Sequence, residues 1–341
     1  MILTVPAHRR ALLRAFGAAA FISAAFLPGL ASAEVVVVKH AKGELSIESP
    51  PKKVAVFDLA ALDIIDALGV DAVAGLPRGE DGAANVPGYL SAYNDPKFIG
   101  VGTLFEPDLA ALKALAPDLI IISGRSASKY DAVKDIAPTL DLSPAGGGLV
   151  ADTIANTLTL GQVFGAEDAA AAKIAELTTA VATMQAAVKD DDTALVLFAV
   201  AKTSMAHAPG QRFGTLYDYL GMGSVMDPID PNATAAPRPE PGSPEAEAAR
   251  QRQLEARDAA LAAEPDWIIT LDRAAISSPQ PSDVQDRLSK DPAIAVTKAW
   301  QAGKVIHLDP RGWYLVGTGI QNLTLTAQAI TAQLSAEAAD Q

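Results

Sequence analysis

Pro117-Asp118-Leu119-Ile120-Ile121-Ile122-Ser123-Gly124-Arg125 is the stretch whose reading decides the fold. Four large apolar residues follow one another without polar alternation, which is the pattern of a short strand buried on both faces. Such a strand, Leu119–Ser123, belongs in a mainly parallel sheet covered by helices on either side, and it leaves Arg125 just beyond its carboxyl end. The neighbouring sequence agrees. Val35–Val38 and Glu44–Ile47 flank a Lys-Gly turn and read as a hairpin. Val54–Phe57 reads as a strand, Leu59–Leu68 as a helix ending at Gly69, and Asp71–Gly75 as a strand. Residues 76–107 read as loops around a short helix. Asp108–Ala114 and Ala127–Ile136 then read as helices, and Thr139–Leu142 as a strand.

This alternation stops at residues 150–188, nearly forty residues of helical character interrupted near Gly161–Gly165. It resumes with strands Ala194–Val200, Trp267–Leu271 and Val305–Leu308, helix Thr215–Leu220 and the amphipathic C-terminal helix Ile320–Leu334. The expected organisation is an α/β lobe over residues 34–150, a linking helical region over 151–190 and a second α/β lobe over 191–341. The second lobe carries an insertion at 227–258. Six prolines lie between Pro228 and Pro244, predicting an irregular surface loop, and Glu245–Arg257 predicts an exposed helix running towards Leu261.

Residues 1–33 read as an export signal. Arg9-Arg10-Ala11-Leu12-Leu13-Arg14 precedes an apolar run from Ala15 to Leu30 and the small-residue site Ala31-Ser32-Ala33. The arginine pair resembles a twin-arginine signal, and the run is short for a membrane span, which needs roughly 20 residues. Three of the 27 basic residues and none of the 40 acids lie in this segment, so the remaining 308 residues carry 24 basic against 40 acidic groups, a net charge of −16. That balance excludes nucleic acid as a partner. There is no cysteine, which removes disulfides, thiolate metal sites and a thioether lipid anchor. A free periplasmic protein is expected. The four histidines (His8, His40, His207, His307) are far apart in sequence, so no resident metal centre is expected.

Three arginines share one context. Arg125 follows the strand Leu119–Ser123, Arg273 follows Trp267–Leu271 in Leu271-Asp272-Arg273, and Arg212 lies in Pro209-Gly210-Gln211-Arg212-Phe213-Gly214 after the strand Ala194–Val200. Ligands of open α/β sheets bind beyond the carboxyl ends of the strands, so two facing lobes would bring the three guanidiniums to one cleft. Arginine stays charged when partly desolvated and offers a planar fork of donors to oxygen anions. The alternative is that each pairs with a local carboxylate, such as Asp272 beside Arg273.

Val54-Ala55-Val56-Phe57-Asp58, Glu106-Pro107-Asp108-Leu109 and Ala116–Arg125 resemble periplasmic ferric-siderophore-binding proteins of ABC transporters, in particular the petrobactin-type catecholate binders. So do Ile136-Ala137-Pro138-Thr139, the Gly-x-Arg-Phe-Gly run at 210–214, Pro265-Asp266-Trp267-Ile268 with Asp272-Arg273, and Leu308-Asp309-Pro310 with Trp313-Tyr314-Leu315. The resemblance extends over about residues 35–330. It implies two α/β lobes joined by a single long backbone helix, with the ligand cleft between them. It also implies that Arg125, Arg212 and Arg273 contact anionic catecholate oxygens, with Tyr314 near the same cleft; Tyr314 reads as a ligand contact that does not ligate iron, with phenolate ligation or plain packing as the alternatives. The implied partners are a ferric siderophore as transported ligand and an inner-membrane ABC permease. No catalysis and no resident cofactor are implied, and the chain is expected to act as a monomer. Haem, cobalamin or a citrate-type iron complex are the alternative cargoes, and an exported α/β enzyme is the alternative class.

The sequence departs from the family pattern in two places. The usual His-Gly run and Ser-Phe-Glu are replaced by the Pro-rich insertion, leaving no His between Arg212 and Arg273, and the glycine run after Trp-Tyr-Leu is altered to Val316-Gly317-Thr318-Gly319. Trp313 reads as wall or core, His207 as a structural residue near Arg212, and His307 as part of a strand without function. Asp63 and Asp66 share a helix face and, like Asp190-Asp191-Asp192, read as surface carboxylates. Glu80 and Glu106 lie in the loop-rich part of the first lobe, either as permease contacts or as ordinary solvated carboxylates.

Overall fold

In the first lobe, β3 (Val54–Val56), β4 (Val73–Leu76), β5 (Ile99–Gly100), β6 (Leu119–Ile122) and β7 (Thr139–Asp141) form an all-parallel sheet in the order β5-β4-β3-β6-β7. They follow an antiparallel hairpin of β1 (Glu34–His40) and β2 (Gly43–Ser49). This computed structural model describes residues 34–79, 82–200, 203–230, 239–278 and 281–340. The export-signal reading of residues 1–33 and the reading of Glu80 lie outside them. β6 is the stretch from which the fold was read, and all four of its residues are fully buried, as a central parallel strand demands.

Helices cover the sheet where capping residues start them. Asp58 accepts from the Ala61 amide at 2.8 Å to open α1 (Leu59–Ala67). Asp108 accepts from the Ala110 and Ala111 amides at 2.9 and 3.0 Å to open α2 (Leu109–Leu115). The helix read at Ala127–Ile136 is a 3₁₀ turn followed by the single turn α3 (Tyr130–Val133). Its end tightens through the bond from the Ile136 amide to the Val133 carbonyl, just before Pro138.

The linking segment is α4 (Leu149–Phe164) and the longer α5 (Glu167–Ala187). They part at Gly165, whose φ of 61° ends α4 in the left-handed region. Ala170 of α5 packs so closely on Gly161 that a Cβ there would come within 2.7 Å.

The second lobe holds β8 (Thr193–Val200), β9 (Thr203–His207), α6 (Thr215–Leu220), β10 (Gly223–Ser224), α7 (Pro244–Ala262) and β11 (Trp267–Asp272). Three short helices follow, α8 (Val284–Leu288), α9 (Pro292–Ala295) and α10 (Lys298–Gln301), then β12 (Val305–Leu308) and α11 (Ile320–Asp340). Its parallel sheet runs β10-β8-β11-β12, and β9 pairs antiparallel with β8. Ser243 caps α7 with Pro244 in its first turn, and most of that helix is exposed, as its composition implied. The main cluster of buried side chains runs from Val54 and Leu62 through Leu160 and Leu177 to Val196, Trp313 and Leu323, so one core continues through both lobes.

One carboxylate reading needs correction. Asp63 is not a surface group: it is fully buried, while Asp66 is half-buried. The α1 face that carries both is covered by the start of α11 and by Tyr89.

Candidate functional site

Arg125 stands in the turn after β6, Arg212 in the loop between β9 and α6, and Arg273 directly after β11. Tyr314 sits in a π-helical turn, Gly312–Val316, between β12 and α11. All four meet. The guanidinium carbons of Arg212, Arg273 and Arg125 lie 4.4, 4.8 and 6.0 Å from the centre of the Tyr314 ring. These are cation–π distances. Arg125 also reaches from the first lobe to the main chain of the turn. It donates through Nη1 to the Leu315 carbonyl at 3.0 Å and through Nη2 to the Tyr314 carbonyl, which accepts a further bond from Arg212 at 3.4 Å.

Among the described residues no carboxylate lies within ion-pair distance of Arg125, Arg212 or Arg273. Asp272 turns away from its sequence neighbour Arg273 and binds Arg287 at 2.5 Å and the Ser282 hydroxyl at 2.6 Å. Burial lowers the pKa of Arg125; Asp58 opposes this and the Arg212 charge adds to it. Burial would raise the Tyr314 phenol, but hydrogen bonding to Arg212 and the charges of Arg273 and Arg212 outweigh it and hold the group below its ordinary value. The arrangement offers many cationic donors with no carboxylate among the described residues at ion-pair distance, so it suits a multivalent oxygen anion.

An aromatic layer lies against Tyr314. Phe198 of β8 is nearly parallel to it at 6.0 Å, Phe213 lies 6.5 Å from it, and His207 meets both phenyl rings edge-on at 5.8 and 5.2 Å. Sequence reading did not assign Phe198 or Phe213 to the cleft. Phe213 lay within the quoted Gly-x-Arg-Phe-Gly run, whereas Phe198 has only the signal of an apolar strand. The loop that carries Arg212 is pinned by the start of the insertion. The Ile229 amide donates to the Pro209 carbonyl at 2.8 Å, and the Ile229 carbonyl fills the space where Gly210 would carry a Cβ.

His207 is held neutral: burial, with help from Arg212, lowers its pKa to about 4, and its Nδ1 has no partner among the described residues. The unfolded chain, with its imidazole near 6.5, therefore binds the proton more readily between those values. Stability from this group is complete above about pH 6.5 and is lost as pH falls towards 4, by roughly 3 kcal/mol in all. Urea unfolding between pH 4.5 and 7.5 should show that slope, and His207→Phe should flatten it; equal slopes in both proteins would refute the assignment. Asp63, raised to about 7 by burial, contributes with the opposite sign over pH 3.8–7, so the comparison with the variant is needed.

The remaining residues divide as follows. Trp313 is in the core, 4% exposed, with its indole N–H donating to the Thr326 hydroxyl at 3.0 Å. His307 has both ring nitrogens engaged, with Thr270 at 2.6 Å and Gln285 at 2.7 Å. Glu106 is exposed and ion-paired with Lys129 at 2.6 Å. Among the described residues no three His, Asp or Glu side chains are grouped to hold a metal ion, and no helix is long and apolar enough to cross a membrane.

Known proteins resemble this chain in sequence and in fold. The sequence profile of the family described as periplasmic binding protein matches residues 54–311. The petrobactin-binding protein YclQ of Bacillus subtilis is 31% identical over 295 residues, 85% of this chain and 86% of that protein. The ferric-anguibactin-binding protein FatB of Vibrio anguillarum is 27% identical over 301 residues, 86% of each. The crystal structure of YclQ superimposes with a TM-score of 0.71 at 29% identity, over 88% of this chain and 99% of that one.

Proposed function

Since the chain belongs to the periplasmic binding protein family, we propose that it is the extracytoplasmic receptor of an iron-siderophore ABC importer. It captures an anionic ferric siderophore of the catecholate type in the cleft between its lobes and passes it to the inner-membrane permease. The observation that carries this reading is the gathering of Arg125, Arg212 and Arg273 around Tyr314 with no carboxylate paired to any of them. A ferric tris-catecholate carries about three negative charges, and three guanidiniums meet them with charge-assisted hydrogen bonds. The named cargoes of its relatives, petrobactin and ferric anguibactin, support the same class of ligand. Function then lies in affinity and recognition rather than in bond chemistry. Residues 1–33 act as a cleaved, twin-arginine-type export signal, and the receptor works as a monomer.

The test is tryptophan fluorescence of the mature protein, titrated with ferric catecholates, ferric citrate, haem and cobalamin. Trp313 adjoins Tyr314 in sequence and reports the cleft, beside Trp267 and Trp300. Saturable quenching by ferric catecholates is expected. A response to haem or ferric citrate alone would reassign the cargo, and no response to any iron complex would overturn the reading.

A further inference from the structure

Asp63 is a fully buried carboxylate with no cation beside it. It has no ion pair among the described residues, and its neighbours Tyr89 and Asp66 are neutral or acidic. A buried carboxylate is costly unless hydrogen bonds replace its water. Here two of the three come from the start of α11, 258 and 259 residues away in sequence, and the third from Tyr89. Oδ1 accepts from the Gln321 amide at 2.8 Å, and Oδ2 accepts from the Asn322 amide at 3.1 Å and from the Tyr89 hydroxyl at 2.8 Å. Gln321 adds side-chain bonds to the Asp63 carbonyl at 3.0 Å and to Asp66 at 2.9 Å. The first lobe thus supplies the cap that α11 lacks locally. Gly319 is needed where it stands, because a Cβ there would lie 2.4 Å from the Asp63 carboxyl carbon.

Those contacts lead to the cleft. Asn322, 3% exposed, donates through its side chain to the Gly317 carbonyl at 2.9 Å, and its Oδ1 lies so close to Gly312 that a Cβ would approach within 2.3 Å. Gly312 and Gly317 bracket the turn that carries Tyr314. The Tyr314 and Leu315 carbonyls in that turn receive Arg125, and the Tyr314 carbonyl also receives Arg212.

We propose that Asp63 is a positioning residue of the anion cleft: it anchors the start of α11 and, through Asn322, fixes the turn that presents Tyr314 to the three arginines. This rests on the arginine cleft being the cargo site. Asp63→Asn preserves shape but puts an NH₂ group against one of the two amide donors. In the ligand-free protein, amide exchange across residues 313–322 should accelerate about tenfold while β6 and β11 keep their protection. Binding of a ferric hexadentate tris-catecholate should weaken about tenfold in Asp63→Asn, yet less than about twofold further when Arg125 is already alanine, because both changes release the same turn. Asn322→Ala, which leaves the carboxylate in place, should raise exchange at 313–317 in the same way and stands in if Asp63→Asn does not fold. Unchanged protection of the turn, or fully additive losses, would overturn the proposal. The exchange measurement needs no cargo, so it decides the role of Asp63 even if wild-type protein failed to bind the probe, a result that would count against the cargo reading alone.

Discussion

Replacing Arg125, Arg212 and Arg273 one at a time with alanine is expected to weaken binding of a ferric tris-catecholate by about 10- to 100-fold each, the equivalent of one charge-assisted hydrogen bond per site. The triple variant should not bind measurably at micromolar protein. Folding should survive, because none of the three guanidiniums is ion-paired among the described residues and their mutual repulsion is relieved. Arg273 should behave as a cargo contact alone, whereas Arg212 also holds the Tyr314 carbonyl of the turn by a long bond of 3.4 Å. Arg125 also ties the first lobe to the Tyr314 turn, so Arg125→Ala should additionally speed amide exchange there. Lysine is no substitute for Arg212, whose planar guanidinium stacks on both Tyr314 and Phe213 at 4.4 and 4.8 Å. Calorimetric titration at two salt concentrations is the measurement. Full affinity in the triple variant would remove the cleft from this account.

Gly210→Ala is expected to be the most destabilising small substitution near the site. The residue has φ +88°, and an added Cβ would lie 1.9 Å from the Ile229 carbonyl oxygen, main chain that cannot rotate away. Backbone strain and the displaced contact together should cost roughly 2–4 kcal/mol. The Pro209–Ile229 bond that seats the loop before Arg212 should fail with it, so affinity should fall in the folded fraction as well. Gly124→Ala, next to Arg125, is the control: nothing lies within 4 Å of its Cβ position and its φ is ordinary, so little change is expected. Urea unfolding of both variants decides the matter, and an unchanged midpoint for Gly210→Ala would contradict the close approach.

The two-residue strands β5 and β10 were too short to show a pattern, but the longer parallel strands, the hairpin, α6 and the joint at Gly165 were legible because each rests on a local pattern: an unbroken apolar run, a Lys-Gly turn, a glycine just past a helix. β9 was not, because Thr203-Ser204-Met205-Ala206-His207 is polar enough to pass for loop and owes its extension to pairing with β8. The short helices α8 to α10 are likewise too brief to show a period. At the site, the arginines stood out by their positions after strands. The side chains that support them did not, since Phe198 and Asp63 differ from ordinary strand and helix residues only in what is packed against them from distant parts of the chain. A carboxylate on a helix face carries no mark of the helix end that will cover it.

The two 21-residue helices α5 and α11 lie against one another, each about 30 Å long. Together with the core that runs through both lobes, they form a doubled beam rather than a pair of pliable strands. Bending such a beam would strain many contacts at once, so the cleft is expected to move only through small angles, with its width largely set before cargo arrives. The receptor therefore gives up little conformational entropy on loading. On the proposed reading, an empty and a loaded molecule differ chiefly in charge at the cleft, where the three arginines are either bare or neutralised.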